Sequence, residues 1–387
     1  MLAASTTASV TSAFVAGDWK TVRSMVEDLA AQGRADAEAL AMLGAACMRL
    51  DDAPTAHAAV ERAVKIQPRN LRAVLVKAEL LSAEGNLRDA NFYDGLALDI
   101  ATDPATVPAD LVDGLAAARR RRAHVHANML SLLDDELRTA GYSPRGSSRR
   151  FTLALDVLTG RKQPYFQQPK RLFYPELPNL QFYPREQFPW LDAIEAATDA
   201  ITGEMEAMLR HEDSNFAPYL KHLPHIPSAD YALIGSMDWS TAFLIKSGEE
   251  TELAARCPQT MAALAEAPLC RVKARSPEAM FSQLRAGAHI WPHTGVVNTR
   301  LVCHVPLVVP PNCRFRVGNE VRQWEKGRAW VFDDTIEHEA QNGSDRTRVV
   351  LIFDIWRPEL DEEERMLVAA LLEAMDAYSP PPPGSDH

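Results

Sequence analysis

The turn Gly17-Asp18-Trp19 returns as Asp51-Asp52-Ala53 and again as Gly85-Asn86-Leu87, 34 residues apart each time. Val22, Ala56 and Ala90 follow at one shared offset, and Ala63 and Ala97 at another. This period lies in sequence rich in Ala, Leu, Glu and Arg, with apolar residues at helical spacing. It confines the chain up to about residue 104 to stacked helix pairs, because one pair cannot bury its own apolar face. The middle unit carries Leu40, Leu43, Gly44, Ala56, Val60, Ala63 and Pro68. Its small residues let paired helices approach closely, and its proline ends the second helix.

The pattern resembles a tetratricopeptide repeat, with about three units and the outer two less regular. Such an array is either a stabilising helical module or dimerisation surface, or a groove that captures a peptide or protein. The residues do not separate these readings. A further helix is expected from Leu111 to Ala140, so the repeat domain is assigned to residues 1–140. The basic run Arg119 to Arg122 is expected to be a solvated helix face or linker.

Beyond residue 140 the texture changes. Residues 141–190 read as an extended connection, since six prolines fall between Gln163 and Trp190 at spacings that exclude helix. Helical periodicity resumes from Leu191 to Leu209. A strand is expected at Trp239 to Lys246 and a helix at Thr260 to Ala265. From Val272 on, β-branched and aromatic residues dominate: Met280 to Leu284, Thr299 to Val309, Cys313 to Val317, Val321 to Trp324, Arg328 to Phe332 and Arg348 to Trp356. Turn signals at Pro310-Pro311-Asn312, Val317-Gly318-Asn319 and Asn342-Gly343-Ser344 separate them, which indicates an antiparallel sandwich or barrel. A helix from Leu360 to Tyr378 and a Pro-rich tail, 379–387, expected to be disordered, follow.

A formal net charge of −11 argues against a general nucleic-acid binder, which needs a cationic surface to displace counterions. The five cysteines are scattered without a CxxC pair, so neither a disulfide framework nor a zinc ribbon is indicated. No basic start precedes an apolar core, and no apolar run approaches the roughly 18 residues of a membrane span. A reducing cytoplasm is the expected location.

Two short pieces stand out as chemistry: His289-Ile-Trp-Pro-His293-Thr-Gly295 and Asp333-Asp-Thr-Ile-Glu-His338-Glu339. Each embeds histidine in a strand-like apolar pattern. Two neutral imidazoles from different strands suit Fe(II), Zn(II) or Cu(II), and two histidines with one carboxylate are the facial set of non-haem iron oxygenases. The carboxylate usually sits two residues after the first histidine, where this chain has Gly295. On spacing alone, His289, His293, His304 and His338 could equally be hydrogen-bonded core or surface residues, and Asp333, Asp334, Glu337 and Glu339 solvated loop acids.

Many ordered features narrow the choice. Phe281-Ser282, Gly287, His289, Pro292-His293-Thr294-Gly295, Asn298-Thr-Arg300-Leu301, His304-Val-Pro-Leu307, Phe315-Arg316-Val317-Gly318, Trp324, Phe332-Asp333-Asp334, Glu337-His338-Glu339-Ala340, Arg348 and Phe353-Asp354-Ile355-Trp356 together resemble the aspartyl/asparaginyl β-hydroxylase family. The resemblance is dense from about Trp239 to Pro358 and weaker upstream to Tyr165. It implies an α+β chain in which a TPR-like solenoid precedes a double-stranded β-helix, a cupin-like jelly roll with flanking helices, over residues 191–378. It also implies Fe(II), 2-oxoglutarate as cosubstrate and O₂. His293 and His338 match the iron ligands, and Gly295 matches a vacant third position that water fills. Asp334 matches an acid that orients metal-bound water, Arg348 the cation for the distal 2-oxoglutarate carboxylate, Ser282 a hydroxyl assisting it, and His304 a residue near the chelating carboxylate. Arg300 matches a position facing the primary substrate.

The implied activity is hydroxylation of an amino-acid side chain, at the β-carbon, with a peptide or protein as a possible substrate and a protein partner at the repeats. Animal members carry an arginine two residues after the position of Arg300. This chain has Val302 there, and the resemblance stops predicting the substrate at that residue. Two rivals are a repeat-based binding scaffold with an inactive jelly roll, and a zinc or other metal enzyme of cupin type, in which Arg348 would have no evident task.

Overall fold

Asp18, Asp36, Asp52, Asn70 and Asn86 each open a helix by accepting a hydrogen bond from the backbone amide three residues on. Such caps satisfy donors that the first helical turn leaves free. In this computed structural model, which describes residues 2–210, 215–220 and 232–378, the 34-residue recurrence is thus a recurrence of helix starts. The helices are α1 (Leu2–Val15), α2 (Trp19–Ala31), α3 (Ala37–Arg49), α4 (Ala53–Ile66), α5 (Leu71–Ala83), α6 (Leu87–Ile100) and α7 (Val112–Thr139). Gly17, Asp51 and Gly85, one per unit, turn the chain with left-handed φ of 73°, 57° and 77°. Pro68 follows the end of α4, as expected.

The helix pairs close on small residues. Ala46, Ala56, Ala63 and Ala73 are fully buried beside Val22, Val26 and Leu40. A β-carbon on Gly44 would lie 2.4 Å from a Val60 methyl, so glycine there lets α3 and α4 touch. The basic run departs from expectation. Arg121 donates to the fully buried Asp94 at 2.6 Å, and Arg122 donates to the Asn91 carbonyl at 3.0 Å. Half of the run therefore fastens α7 to α6, because the buried Asp94 needs a partner; Arg119 and Arg120 are exposed.

The chain divides into two compact units, the first ending at Thr152 and the second beginning at Leu153. A helix absent from the sequence expectation, α8 (Arg149–Leu158), spans that boundary. From Gln163 to Trp190 the chain is extended, as its prolines require, apart from one short 3₁₀ turn at Arg185–Gln187. It makes single backbone bridges, Leu172 to Val297 and Phe182 to Phe332. The helical stretch expected as one piece is two, α9 (Leu191–Ala196) and α10 (Thr198–Leu209). The tail 379–387 lies outside the described residues.

The second unit is built on two antiparallel sheets. The larger runs β1 (Ala217–Pro218), β2 (Trp239–Lys246), β4 (Ala279–Leu284), β11 (Arg348–Trp356), β6 (Arg300–Val308), β9 (Trp330–Phe332), with β3 (Glu249–Glu250) on β2. The smaller runs β5 (His289–His293), β10 (His338–Asn342), β7 (Cys313–Val317), β8 (Glu320–Gln323). Pairing late strands with early ones, β11 between β4 and β6 and β10 between β5 and β7, gives the double-stranded β-helix, a jelly roll. The outer face of the larger sheet is covered by α9, α10 and α11 (Pro258–Leu264), and the chain continues into α12 (Glu362–Tyr378). The central strands are consequently buried on both faces and read as continuous apolar runs. Pro292 lies in β5, an edge strand, where a missing amide costs no ladder bond. Among the described residues no helix is long and apolar enough to cross a membrane.

Candidate active site

Alternation along three strands decides which residues meet inside the jelly roll. On β6, Leu301, Cys303, Val305 and Leu307 pack outward with the helices, which turns Arg300, Val302 and His304 inward. On β11, Leu351, Phe353 and Ile355 join the same outer core while Arg348 and Ile352 face in. On β4, Ala279 and Phe281 pack outward, and Met280 and Ser282 face in. These inward residues line a cavity of about 360 Å³ with His293, Gly295, Asp334 and His338. All seven residues singled out in the sequence, His293, His338, Asp334, Arg348, Ser282, His304 and Arg300, lie on this one cavity.

The two histidines are cross-strand partners. His338 on β10 stands opposite His293 on β5, with ring centroids 4.1 Å apart. Each ring is oriented by its Nδ1–H, which donates to a backbone carbonyl two residues earlier, Trp291 at 2.8 Å and Ile336 at 3.1 Å. Fixing the proton on Nδ1 leaves Nε2 of each neutral ring as the lone-pair nitrogen. Burial pushes the His293 ring below its ordinary pKa, and burial together with His293 pushes His338 well below. Both rings are therefore neutral donors near pH 7, the form a metal requires.

Asp333 and Asp334 are not solvated loop acids. Asp333 is fully buried against Arg357 and accepts from the Thr335 amide and hydroxyl and from Gln167 Nε2 at 2.7 Å. Asp334 takes Arg300 Nη2 at 3.2 Å. Its carboxylate fills the space beside Gly295, where an added β-carbon would meet Asp334 Oδ2 at 2.3 Å. Glycine at 295 thus makes room for an acid arriving from a different strand connection. The Arg300 guanidinium also reaches Asp354 at 3.4 Å. Burial opposes its charge, but Asp334 and Asp354 outweigh burial and hold its pKa above the ordinary arginine value. Burial in turn pushes the Asp354 carboxyl up to about 6 despite Arg300.

Arg348 is 1% exposed and faces no carboxylate among the described residues; burial pushes it down to about 10. Its guanidinium lies 4.5 Å from the Trp324 ring centroid, and its Nε and Nη1 have no hydrogen-bond partner. A buried guanidinium with an aromatic face behind it and two idle donors is a receptor for a carboxylate. His304 stands near, packed among Phe315, Trp324 and Phe332, with Nδ1 likewise unpartnered. Burial, then Arg348, pushes its pKa well below the ordinary value. Ser282 Oγ accepts only a long bond, 3.4 Å, from Trp239 Nε1. The idle buried donors in this cavity, Arg348 Nε and Nη1, fit an anionic guest, with His304 Nδ1 unpartnered beside them, whereas the idle Asp334 Oδ1 is an acceptor.

Among the described residues no group of three or more His, Cys, Asp or Glu is placed to hold a metal. The donor set is the histidine pair, with Asp334 beside it. His289 is elsewhere, paired with Glu339 at 2.7 Å. Sequence reasoning missed three participants. Asp354 lines the cavity from β11, the strand of Arg348, and counting alternate residues from Arg348 would have found it. Asp354 and Trp324 both belong to the family pattern, which assigns neither of them a role. Lys170, on the extended segment, gave no local signal.

Residues 195–358 match the model of the family described as Aspartyl/Asparaginyl beta-hydroxylase. The mouse aspartyl/asparaginyl beta-hydroxylase is 36% identical over 135 residues, 35% of this chain and 18% of that protein. The ornithine lipid ester-linked acyl 2-hydroxylase of Rhizobium tropici is 36% identical over 192 residues, 48% of this chain and 64% of that protein. The chain thus spans less than two thirds of either relative. A solved cupin domain from Bordetella pertussis aligns over 21% of this chain and 82% of its own, at 18% identity and a TM-score of 0.18.

Proposed function

From the premise that residues 195–358 are a domain of the aspartyl/asparaginyl β-hydroxylase family, we propose that the protein is an Fe(II)- and 2-oxoglutarate-dependent hydroxylase of an amino-acid side chain, borne by a peptide or protein that the helical repeats help to hold. When bound, iron with 2-oxoglutarate and O₂ supplies the oxidising chemistry, releasing CO₂ and succinate and placing one oxygen atom in a C–H bond. His293 and His338, whose Nδ1–H groups are engaged with carbonyls, would hold the metal. Asp334, kept in place by Arg300 and seated in the space that the missing side chain of Gly295 frees, would orient water beside the histidine pair. Arg348 would receive the distal carboxylate of 2-oxoglutarate, Ser282 would donate to it, and neutral His304 would lie by its other end. Val302, Ile352, Met280 and Leu233 keep bulk water from the reacting carbon.

The observation that carries this reading is Arg348, a buried guanidinium with idle donors and no acid. An inactive scaffold has no use for such a charge, which costs stability. A zinc enzyme of cupin type would likewise leave it without work. Under anaerobic conditions, Fe(II) and 2-oxoglutarate are expected to bind together, and with O₂ the protein is expected to form succinate slowly even without primary substrate. If the purified protein with iron, 2-oxoglutarate, ascorbate and O₂ forms no more succinate than His338→Ala, with or without candidate peptides, the reading fails.

A further inference from the structure

Three cations among the described residues line the cavity, and they are not equivalent. Arg348 is buried and has the cosubstrate as its guest on the reading above. Arg300 is already balanced by Asp334 at 3.2 Å and Asp354 at 3.4 Å. Lys170 is exposed, and its ammonium has no hydrogen bond or ion pair among the described residues. Its place is nevertheless fixed. The Lys170 amide donates to the Gly295 carbonyl at 3.1 Å and the next amide, of Arg171, to the Val296 carbonyl at 2.9 Å. The extended segment is thereby stitched to the loop that follows β5, with Lys170 at the rim of the cavity that His293 and His338 share.

The interior offers the opposite chemistry. Met280, Val302 and Ile352 face in from three neighbouring strands, and Leu220, Leu233 and Ile234 add apolar surface. A second acid brought down to Arg300 would lie against both Asp334 and Asp354, and like charges at such distances repel strongly in a water-poor site. We propose that Lys170 is a specificity-determining residue that holds an acidic group of the primary substrate at the rim, while an uncharged aliphatic stretch of that substrate carries the reacting carbon inward along Met280, Val302 and Ile352. This rests on the hydroxylase reading for the identity of the guest as a substrate. It places the acid several bonds from the carbon that reacts, unlike an aspartyl side chain hydroxylated at its β-carbon.

Octanoate and octanamide are matched probes, equal in length and different in charge. Each is titrated calorimetrically into the protein under anaerobic conditions, with Fe(II) and with or without saturating 2-oxoglutarate. Octanoate should bind about fivefold more tightly than octanamide, the ~1 kcal/mol of an ion pair at a wet rim. Lys170→Gln should make the two probes equal, Lys170→Arg should keep the preference, and saturating 2-oxoglutarate should not displace octanoate. Equal binding by the unaltered protein, binding of neither probe at millimolar concentration, retention of the preference by Lys170→Gln, or displacement by 2-oxoglutarate, which would put the acid on Arg348, each overturns the proposal. Failure of 2-oxoglutarate itself to bind counts against the hydroxylase reading, and the two probes still judge Lys170 in that case.

Discussion

The Gly295 amide donates to the Asp334 carbonyl at 2.7 Å, and the Asp334 carboxylate occupies the volume into which any side chain at 295 would grow. The two residues are 39 positions apart, yet neither identity makes sense alone. Glycine is required because the acid is there, and the acid can reach the cavity because residue 295 has no β-carbon. Gly295→Ala should therefore push Asp334 off Arg300 and destabilise the protein by about 1–3 kcal/mol, the usual range for overpacking. In an Asp334→Ala background the same change should cost almost nothing, a coupling that a double-mutant cycle in denaturant reads directly. An unchanged penalty in that background would sink the idea that the two residues share one space.

Arg348 offers a trade between stability and chemistry. A fall from 12.5 to about 10 corresponds to roughly 3 kcal/mol of burial penalty, of which stacking on Trp324 returns about 2. Arg348→Met should then leave the fold intact and about 1 kcal/mol more stable. The same substitution should weaken 2-oxoglutarate binding at least a hundredfold, since truncating one side of a buried charged pair costs roughly 3–5 kcal/mol. Thermal melting and anaerobic calorimetry on one sample decide it. A destabilised variant that still binds 2-oxoglutarate normally would show that the guanidinium is structural.

His304 gives the site a pH signature. Burial, then Arg348, depresses its pKa well below 6.5, so the folded protein keeps it neutral while the unfolded chain protonates it. The unfolded state binds the extra proton, and stability contributed by the neutral ring is present above pH 6.5 and lost as pH falls below it. Between pH 7 and 5.5 the loss from this one ring is at most about 1 kcal/mol. A His304→Leu variant should lose correspondingly less between those pH values, measured by denaturant midpoints. Parallel pH curves for variant and parent would rule out a buried neutral His304.

Much of this was legible because parity is legible. On β6 and β11 the outward residues are all apolar, so the inward polar ones, Arg300, His304 and Arg348, announce themselves in a strand that has to be buried on both faces. The N-terminal period was legible because left-handed turns and helix caps admit few residue types, as Gly17-Asp18, Asp51-Asp52 and Gly85-Asn86 show. What escaped depends on contacts across the chain. The basic run looks solvated until Asp94, 27 residues earlier, is seen to be buried beneath Arg121. Lys170 sits in an extended Pro-rich stretch with no periodicity, and only its pairing to Gly295, far along the chain, brings it to the cavity. The break at Ala197 between α9 and α10 carries neither glycine nor proline, and no residue signals it.

Asp333 and Asp334 are neighbours with different employment, and their variants should separate structure from chemistry. Asp333 and Arg357 are both fully buried against each other, and Asp333 also ties Gln167 to the sheet domain. Asp333→Ala leaves Arg357 buried without its acid and should cost about 3–5 kcal/mol. Asp334→Ala should cost far less, because Arg300 keeps Asp354 at 3.4 Å and the carboxylate removed already has one oxygen without a partner. Succinate formation should rank the two the other way once each is measured at a temperature where it is folded: lost in Asp334→Ala, largely kept in Asp333→Ala. If Asp334→Ala proves as unstable as Asp333→Ala while turnover per folded molecule is unaffected, Asp334 is a second structural acid and the water-orienting role belongs to another group.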